Sequence, residues 1–187
     1  MRPLLLDAVA RLGHAVFTSG TYNLNIIGIR TKDSDSNTFD DRMNVSYKDS
    51  KSWITRTWPC TTDPGLYYRE NPANVNGTAI LCAGQYRSVY KIGKHRGKYN
   101  ALVQTGGKVK VWRDSNRDEQ LDYGNASDGY FGINIHKAGL SSITVDKWSA
   151  GCQVFKKAED FNEFMSICNK QVEVNGWKTF TYTLIEL

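Results

Sequence analysis

Two side chains in the C-terminal third of the chain have the types and spacing to do covalent chemistry together. Cys152 closes the run Trp148-Ser149-Ala150-Gly151-Cys152, and His136 lies sixteen positions upstream, after the apolar stretch 131–135. A thiol attacks as its thiolate, so it needs a basic partner, and a neutral imidazole is suited to take the proton. The small residues before Cys152 let a backbone approach a bound carbonyl, where the N–H groups of Gly151 and Cys152 can steady an oxyanion. Attack of this pair on a carbonyl gives an acyl-thioester. The plainer alternative makes Cys152 a small buried hydrophobe and His136 a polar strand end.

Further candidates surround this pair. His95, in the basic turn Lys94-His95-Arg96-Gly97, either lines an anionic groove or supplies a second imidazole, against the alternative of an exposed loop histidine. Asn134, Asp128, Ser149 and a backbone carbonyl are all candidates to orient His136, and Asn134 is also a candidate to bind substrate. Trp148 adjoins the cysteine loop and is expected at the groove. Tyr86, Tyr90, Tyr99, Tyr123 and Tyr130 suit sugar stacking or, equally, core packing. The acidic run 114–122 presents Asp114, Asn116, Asp118 and Asp122 at positions 1, 3, 5 and 9 of an EF-hand-like loop, which makes structural calcium a candidate. Glu119 replaces the turn glycine and Asn125 the bidentate glutamate, so a solvated acidic turn is the competing expectation.

The elements that must position these residues are mainly β. Short runs rich in Val, Ile, Tyr, Trp and Thr recur at 22–30, 43–47, 53–58, 66–69, 79–81, 88–92, 101–104 and 109–112, separated by turns such as Asp63-Pro64-Gly65 and Asn76-Gly77. Leu5, Leu6, Val9 and Leu12 predict a short helix over about 3–12, stopped by Gly13, where His14 is assigned no chemistry. Phe161, Phe164, Met165 and Cys168 predict a second helix over 157–170 with Cys168 on its buried face. Alternation at 180–185 predicts a closing strand. The polar run 32–38 reads as a loop.

Composition bounds the rest. The 187 residues are 40% hydrophobic and 23% charged, which fits one globular domain spanning 1–187. No apolar run approaches the roughly 20 residues of a membrane-spanning helix, so no membrane insertion is expected. A net charge of +5 favours an anionic partner. The basic residues around 91–98 are broken by glycines, and nucleic acid is not expected as that partner. No secretory signal is legible at the N-terminus. The four cysteines are far apart and read as reduced, with Cys60 and Cys82 as structural thiols able to pair only if oxidised.

The pattern Ile135-His136, then twelve residues, then Ser149-x-Gly151-Cys152 resembles the active-site signature of the YkuD-type L,D-transpeptidases. Thr61-Thr62-Asp63-Pro64-Gly65 is similar to a segment that often precedes it. Together TTDPGLYY, GTAIL, GQY, HRGKYNALVQ, RDSNRDEQLD, INIHKAG and WSAGCQVF resemble a branch common in bacteriophages and gut bacteria, over roughly residues 22–187. The resemblance implies a mainly β (α+β) fold, a mixed β sandwich with one or two helices, acting on peptidoglycan stem peptides with no required cofactor. It implies Cys152 as nucleophile, His136 as base, Ser149 beside the oxyanion and Gly151 in the oxyanion loop. Ala150 stands where that family has a second histidine, and Gln153 where it has Asn or Arg. Gln153 is therefore expected to hydrogen-bond a substrate amide. With no legible signal, the expectation is a phage-like, lysin-like peptidase or amidase in the host cytoplasm or a virion, acting at the wall. The alternatives are a wall-crosslinking transpeptidase and a non-catalytic wall-binding or virion structural protein.

Overall fold

In a computed structural model, residues 1–32 and 37–186 are described. Positions 33–36 of the polar run expected as a loop lie outside the described residues. The chain opens with helix α1 (Leu4–Arg11), followed by strands β1 (Asn25–Arg30), β2 (Asp41–Asp49) and β3 (Ser52–Thr61). A short helix α2 (Leu66–Glu70) leads to β4 (Thr78–Leu81), β5 (Gly84–His95), β6 (Tyr99–Gln104), β7 (Val109–Asp114), β8 (Ser127–Gly129) and β9 (Ile135–Lys137). A 3-10 turn (Asp146–Trp148) precedes β10 (Gln153–Phe155), helix α3 (Ala158–Asn175) and β11 (Thr179–Glu186). None of the helices among the described residues is long and apolar enough to cross a membrane.

The mainly β expectation with added helices is met, but the sheet is not half of a sandwich. Eight strands close on themselves in the order β1-β11-β5-β6-β9-β10-β3-β2, and β4-β7-β8 form a separate three-stranded sheet. Closure has two causes. β1 pairs with β2 antiparallel on one side and with β11 in parallel on the other, joining the two ends of the chain. The three-residue β9 then bridges β6, through Leu102 opposite Ile135, and β10, through three parallel pairs. A closed sheet of eight strands has no free edge and an interior that side chains just fill.

That interior holds Met43, Val45, Tyr90, Leu102, Ile135, Phe155 and Tyr182, continuous with Phe161, Phe164 and Cys168 of α3. Helix α1 sets Leu6 and Val9 against Ile27 and Ile185, covering the β1–β11 pair from the other face. Helix α3 runs past the expected residue 170 because Gln171 is buried by use: it bonds the Leu24 N–H and the Thr179 carbonyl. Gly176, at φ 70°, ends it in the left-handed cap geometry. Residues 66–69, expected as a strand, form α2 instead. Helical spacing there turns Arg69 inward to meet Asp114, its Nε 3.4 Å from the carboxylate, with both side chains fully buried.

A second buried cation ties the strand ends together. Arg30, 1% exposed, donates Nε–H to the Thr62 hydroxyl (3.0 Å) and Nη2 to the Thr62 carbonyl (3.0 Å), and its Nε lies 2.9 Å from the Asp63 carboxylate as an ion pair. Its Nη1 reaches the Leu81 carbonyl (2.9 Å) and Glu186 (3.2 Å). Asp41 accepts from the N–H and hydroxyl of Thr62 and from the Thr31 N–H. Replacing one partner of a buried charge set leaves the others uncompensated. Arg30→Met should therefore lower unfolding free energy in urea by about 3–5 kcal/mol. Breaking the half-exposed Arg56–Glu163 pair with Arg56→Ala should cost under about 1 kcal/mol.

Candidate active site

The parallel register of β9 and β10 decides where the candidate residues meet. Ile135 and His136 pair with Gln153 and Val154, so Cys152 stands beside Asn134 at the mouth of the two strands. Ile135, Gln153 and Phe155 point into the barrel, and alternation puts Asn134, His136, Cys152 and Val154 together on its outer face. Cys60, Cys82 and Cys168 are buried free thiols, whereas Cys152, also free, is only partly buried.

His136 is oriented by the chain itself. Its Nδ1 lies 2.8 Å from the carbonyl oxygen of Lys137. A carbonyl only accepts, so Nδ1 carries the proton and Nε2 is the basic nitrogen. Tyr99 donates its hydroxyl to the same carbonyl (3.2 Å) and lies beside the ring, 3.5 Å from Nδ1. Among the four candidate orienters the structure thus selects the backbone carbonyl. Asn134 is used elsewhere, Asp128 is an exposed residue of β8, and Ser149 belongs to the cysteine loop.

His95 is brought to this site and is not an exposed loop residue. Its ring stacks on that of His136, with centroids 4.0 Å apart and planes 20° apart. Asn134 Oδ1 accepts from the Gln104 N–H (2.9 Å), which turns Nδ2 towards His95 Nδ1 (3.2 Å). The amide donates there, so His95 accepts at Nδ1 and its proton sits on Nε2. Both rings are neutral. Burial, then the neighbouring His95 and Arg96, push His136 down to about 3, although the Lys137 carbonyl pulls the other way. Burial and Arg96 also lower His95.

The thiol at rest is neutral as well. Cys152 Sγ accepts from the Asn134 N–H and donates to the Gly132 carbonyl, each at 3.4 Å. Its close-packed surroundings push it up to about 11, against the pull of the Asn134 N–H and Arg96. The pair is therefore a thiol and a free base, not a preformed ion pair. For attack, S–H must turn from Gly132 towards the imidazole, a tightening that substrate binding commonly brings.

The loop that carries Cys152 is held from within. Ser149 donates its hydroxyl to the Cys152 carbonyl (2.8 Å) and accepts from the Gly151 N–H (3.1 Å). That occupies the Gly151 N–H, and Ser149 holds the loop from within. Gly151 adopts φ +117°, and a Cβ there would strike the Ala79 carbonyl. Gln153, expected at the substrate, is instead fully buried and faces the barrel. It donates to the carbonyls of Thr62 and Gly151 (both 3.3 Å) and accepts from the Tyr182 hydroxyl (2.7 Å). Trp148 is 44% exposed, with its ring over Gly139.

Sequence reasoning left two contributors unspecified, the carbonyl of Lys137 and Tyr99, and missed a third, Gln104. The Lys137 carbonyl has no sequence signal. Tyr99 was expected as one aromatic among many. Gln104 holds the segment before Asn134: it accepts from the Phe131 and Ile133 N–H groups and donates to the carbonyls of Gly107 and Gly129. A glutamine in an apolar strand was the available clue.

Of the acidic loop's expected ligands, one is turned away from the others. Asp114, the first expected ligand, is buried against Arg69. The Asn116 amide donates to Asp118 (2.8 Å) and to Asp122, so the loop's oxygens are met by its own donors. Among the described residues no group of three or more His, Cys, Asp or Glu side chains forms a metal-binding set.

Two measurements follow from the neutral pair. Iodoacetamide should label Cys152 alone, slowly at pH 7, with a rate that climbs about tenfold per pH unit towards about 11. Nitrogen-15 NMR should show His136 as the neutral Nδ1–H form at pH 6, with protonation only near pH 3; a charged ring at pH 6 would contradict the assignment. Ser149→Ala should cost about 1–2 kcal/mol in urea unfolding, because two buried backbone groups lose their partner.

Compared with protein-family models, with curated proteins and with solved structures, the chain gives no match.

Proposed function

We propose that this chain is a peptidoglycan-directed cysteine enzyme, L,D-transpeptidase-like in its dyad, that opens stem-peptide amides through an acyl-thioester. The observation that carries the reading is the His136 Nδ1–Lys137 carbonyl contact, which presents a basic Nε2 on the face that holds the one incompletely buried thiol. In the first step the Cys152 proton passes to His136 Nε2 as sulfur bonds to the amide carbon. The Cys152 N–H faces the developing oxyanion. On collapse the C–N bond breaks, and His136 returns the proton to the leaving amine. Water then gives a proton to His136 and attacks the thioester, and the thiol is restored as the C–S bond breaks. Water is the acceptor in this reading because Ala150 offers no polar group to hold an incoming amine and Gln153 is turned inward. The protein is read as a phage-like, lysin-like hydrolase.

One observation favours a second reading, a wall-binding or virion structural module: at rest the thiol donates to Gly132 and not to the imidazole. Mass spectrometry of purified peptidoglycan separates the two. Wild type should release stem peptides carrying one added water, Cys152→Ala should release none, and His136→Gln should be slower by about 10²–10⁴-fold. Products joined through a new amide would make the enzyme a transpeptidase. Unaltered peptidoglycan across several wall chemistries would leave the binding module.

A further inference from the structure

Beside the cysteine loop runs a cleft with one charge in it. A cavity of about 330 Å³ is walled by Ala150, two positions before the nucleophile, and by Phe131, next to the glycine whose carbonyl holds the thiol. It shares Asn74, Arg113 and Phe131 with a wider cavity of about 980 Å³. Each falls within the size range of a ligand site. Every other residue lining them is neutral, with the asparagines and serines that peptide amides require.

Arg113 is oddly placed for a surface cation. It continues the row of β7 on which Val109 and Val111 enter the core, and it is half-buried where that row emerges. Its Nη1 donates to the Gly77 carbonyl (3.2 Å), and its guanidinium lies 4.7 Å over the Phe131 ring. Among the described residues no carboxylate forms an ion pair with it, although the acidic loop begins at the next position. A half-buried guanidinium fixed by a carbonyl and a ring, with no counter-charge, is held at a desolvation cost that a bound anion would offset.

We propose that Arg113 is a specificity residue that binds a free carboxylate of the substrate, seating a carboxylate-bearing peptide in the cleft beside the cysteine loop at Ala150. The single charge of the cleft matches one carboxylate, not a polyanion. The inference rests on the reading of Cys152 as nucleophile, but its test does not need turnover. Soluble stem-peptide fragments, with carboxyls free or converted to methylamides, are titrated calorimetrically into the Cys152→Ala protein. The acids should bind about tenfold to a hundredfold more tightly than the amides. Adding Arg113→Gln should bring the acids down to the affinity of the amides, and Arg113→Lys should keep part of the preference because it keeps the charge without the fork. Equal binding of acids and amides, an undiminished preference in a folded Arg113→Gln protein, or no binding of either form overturns the proposal. The acid–amide comparison stands without the Arg113 variants, so a variant that fails to fold leaves it decisive. Wild-type digestion of peptidoglycan, scored separately, shows whether the cysteine reading fails with it or survives it.

Discussion

The guanidinium of Arg30 is surrounded by groups from separate parts of the chain, and the rest of the fold depends on their meeting there. Asp63 and Thr62 follow β3, Leu81 ends β4, Glu186 ends β11, and Asp41 opens β2. Buried charge is tolerated only when its partners are all present, so these strand ends are fixed relative to one another. The constraint reaches the functional face through one atom. The Thr62 carbonyl accepts from Arg30 and also from Gln153, the residue after Cys152. Tyr182 holds the other end of the Gln153 amide, and the space for its hydroxyl exists because position 28 is glycine. The cysteine loop is thus anchored on its inner side to the barrel's polar mouth.

On its outer side the same loop meets a site poised without charge. Two stacked imidazoles cannot both be protonated cheaply, and the nearby Arg96 disfavours either. The imidazole is therefore unprotonated at neutral and mildly acidic pH, beside a thiol that is not ionised in advance. In the proposed reaction such a pair would transfer its proton as the bond to carbon forms. It is also sparing of a reactive thiolate when no carbonyl is present.

How much of this was legible in the sequence differs by level. Strand and helix positions were readable where alternation or helical spacing ran for several residues, as in β2, β11 and α3. Residues 66–69 misled because four residues of mixed pattern satisfy either period, and the deciding contact, Arg69 with Asp114, is 45 positions away in the chain. Barrel closure was invisible because it hangs on β9, three residues long, and on a parallel pairing between opposite ends of the chain. At the site, residue type found Cys152, His136 and His95, and the structure brings all three together with Asn134. It could not tell which face Gln153 would take, since one step along a strand reverses the side chain.

The orientation of His136 rests on the peptide carbonyl of Lys137, and a peptide carbonyl is the same atom whatever residue bears it. No single codon change can delete the third member of this arrangement, in contrast to the aspartate or asparagine that fixes the base in many thiol and serine enzymes. The site is therefore vulnerable to substitution at two positions and to changes of backbone path, but not at a third side chain. Lineages that share this device could diverge widely around it and still hold the imidazole in the same tautomer. Comparison of residue identities would register none of that continuity.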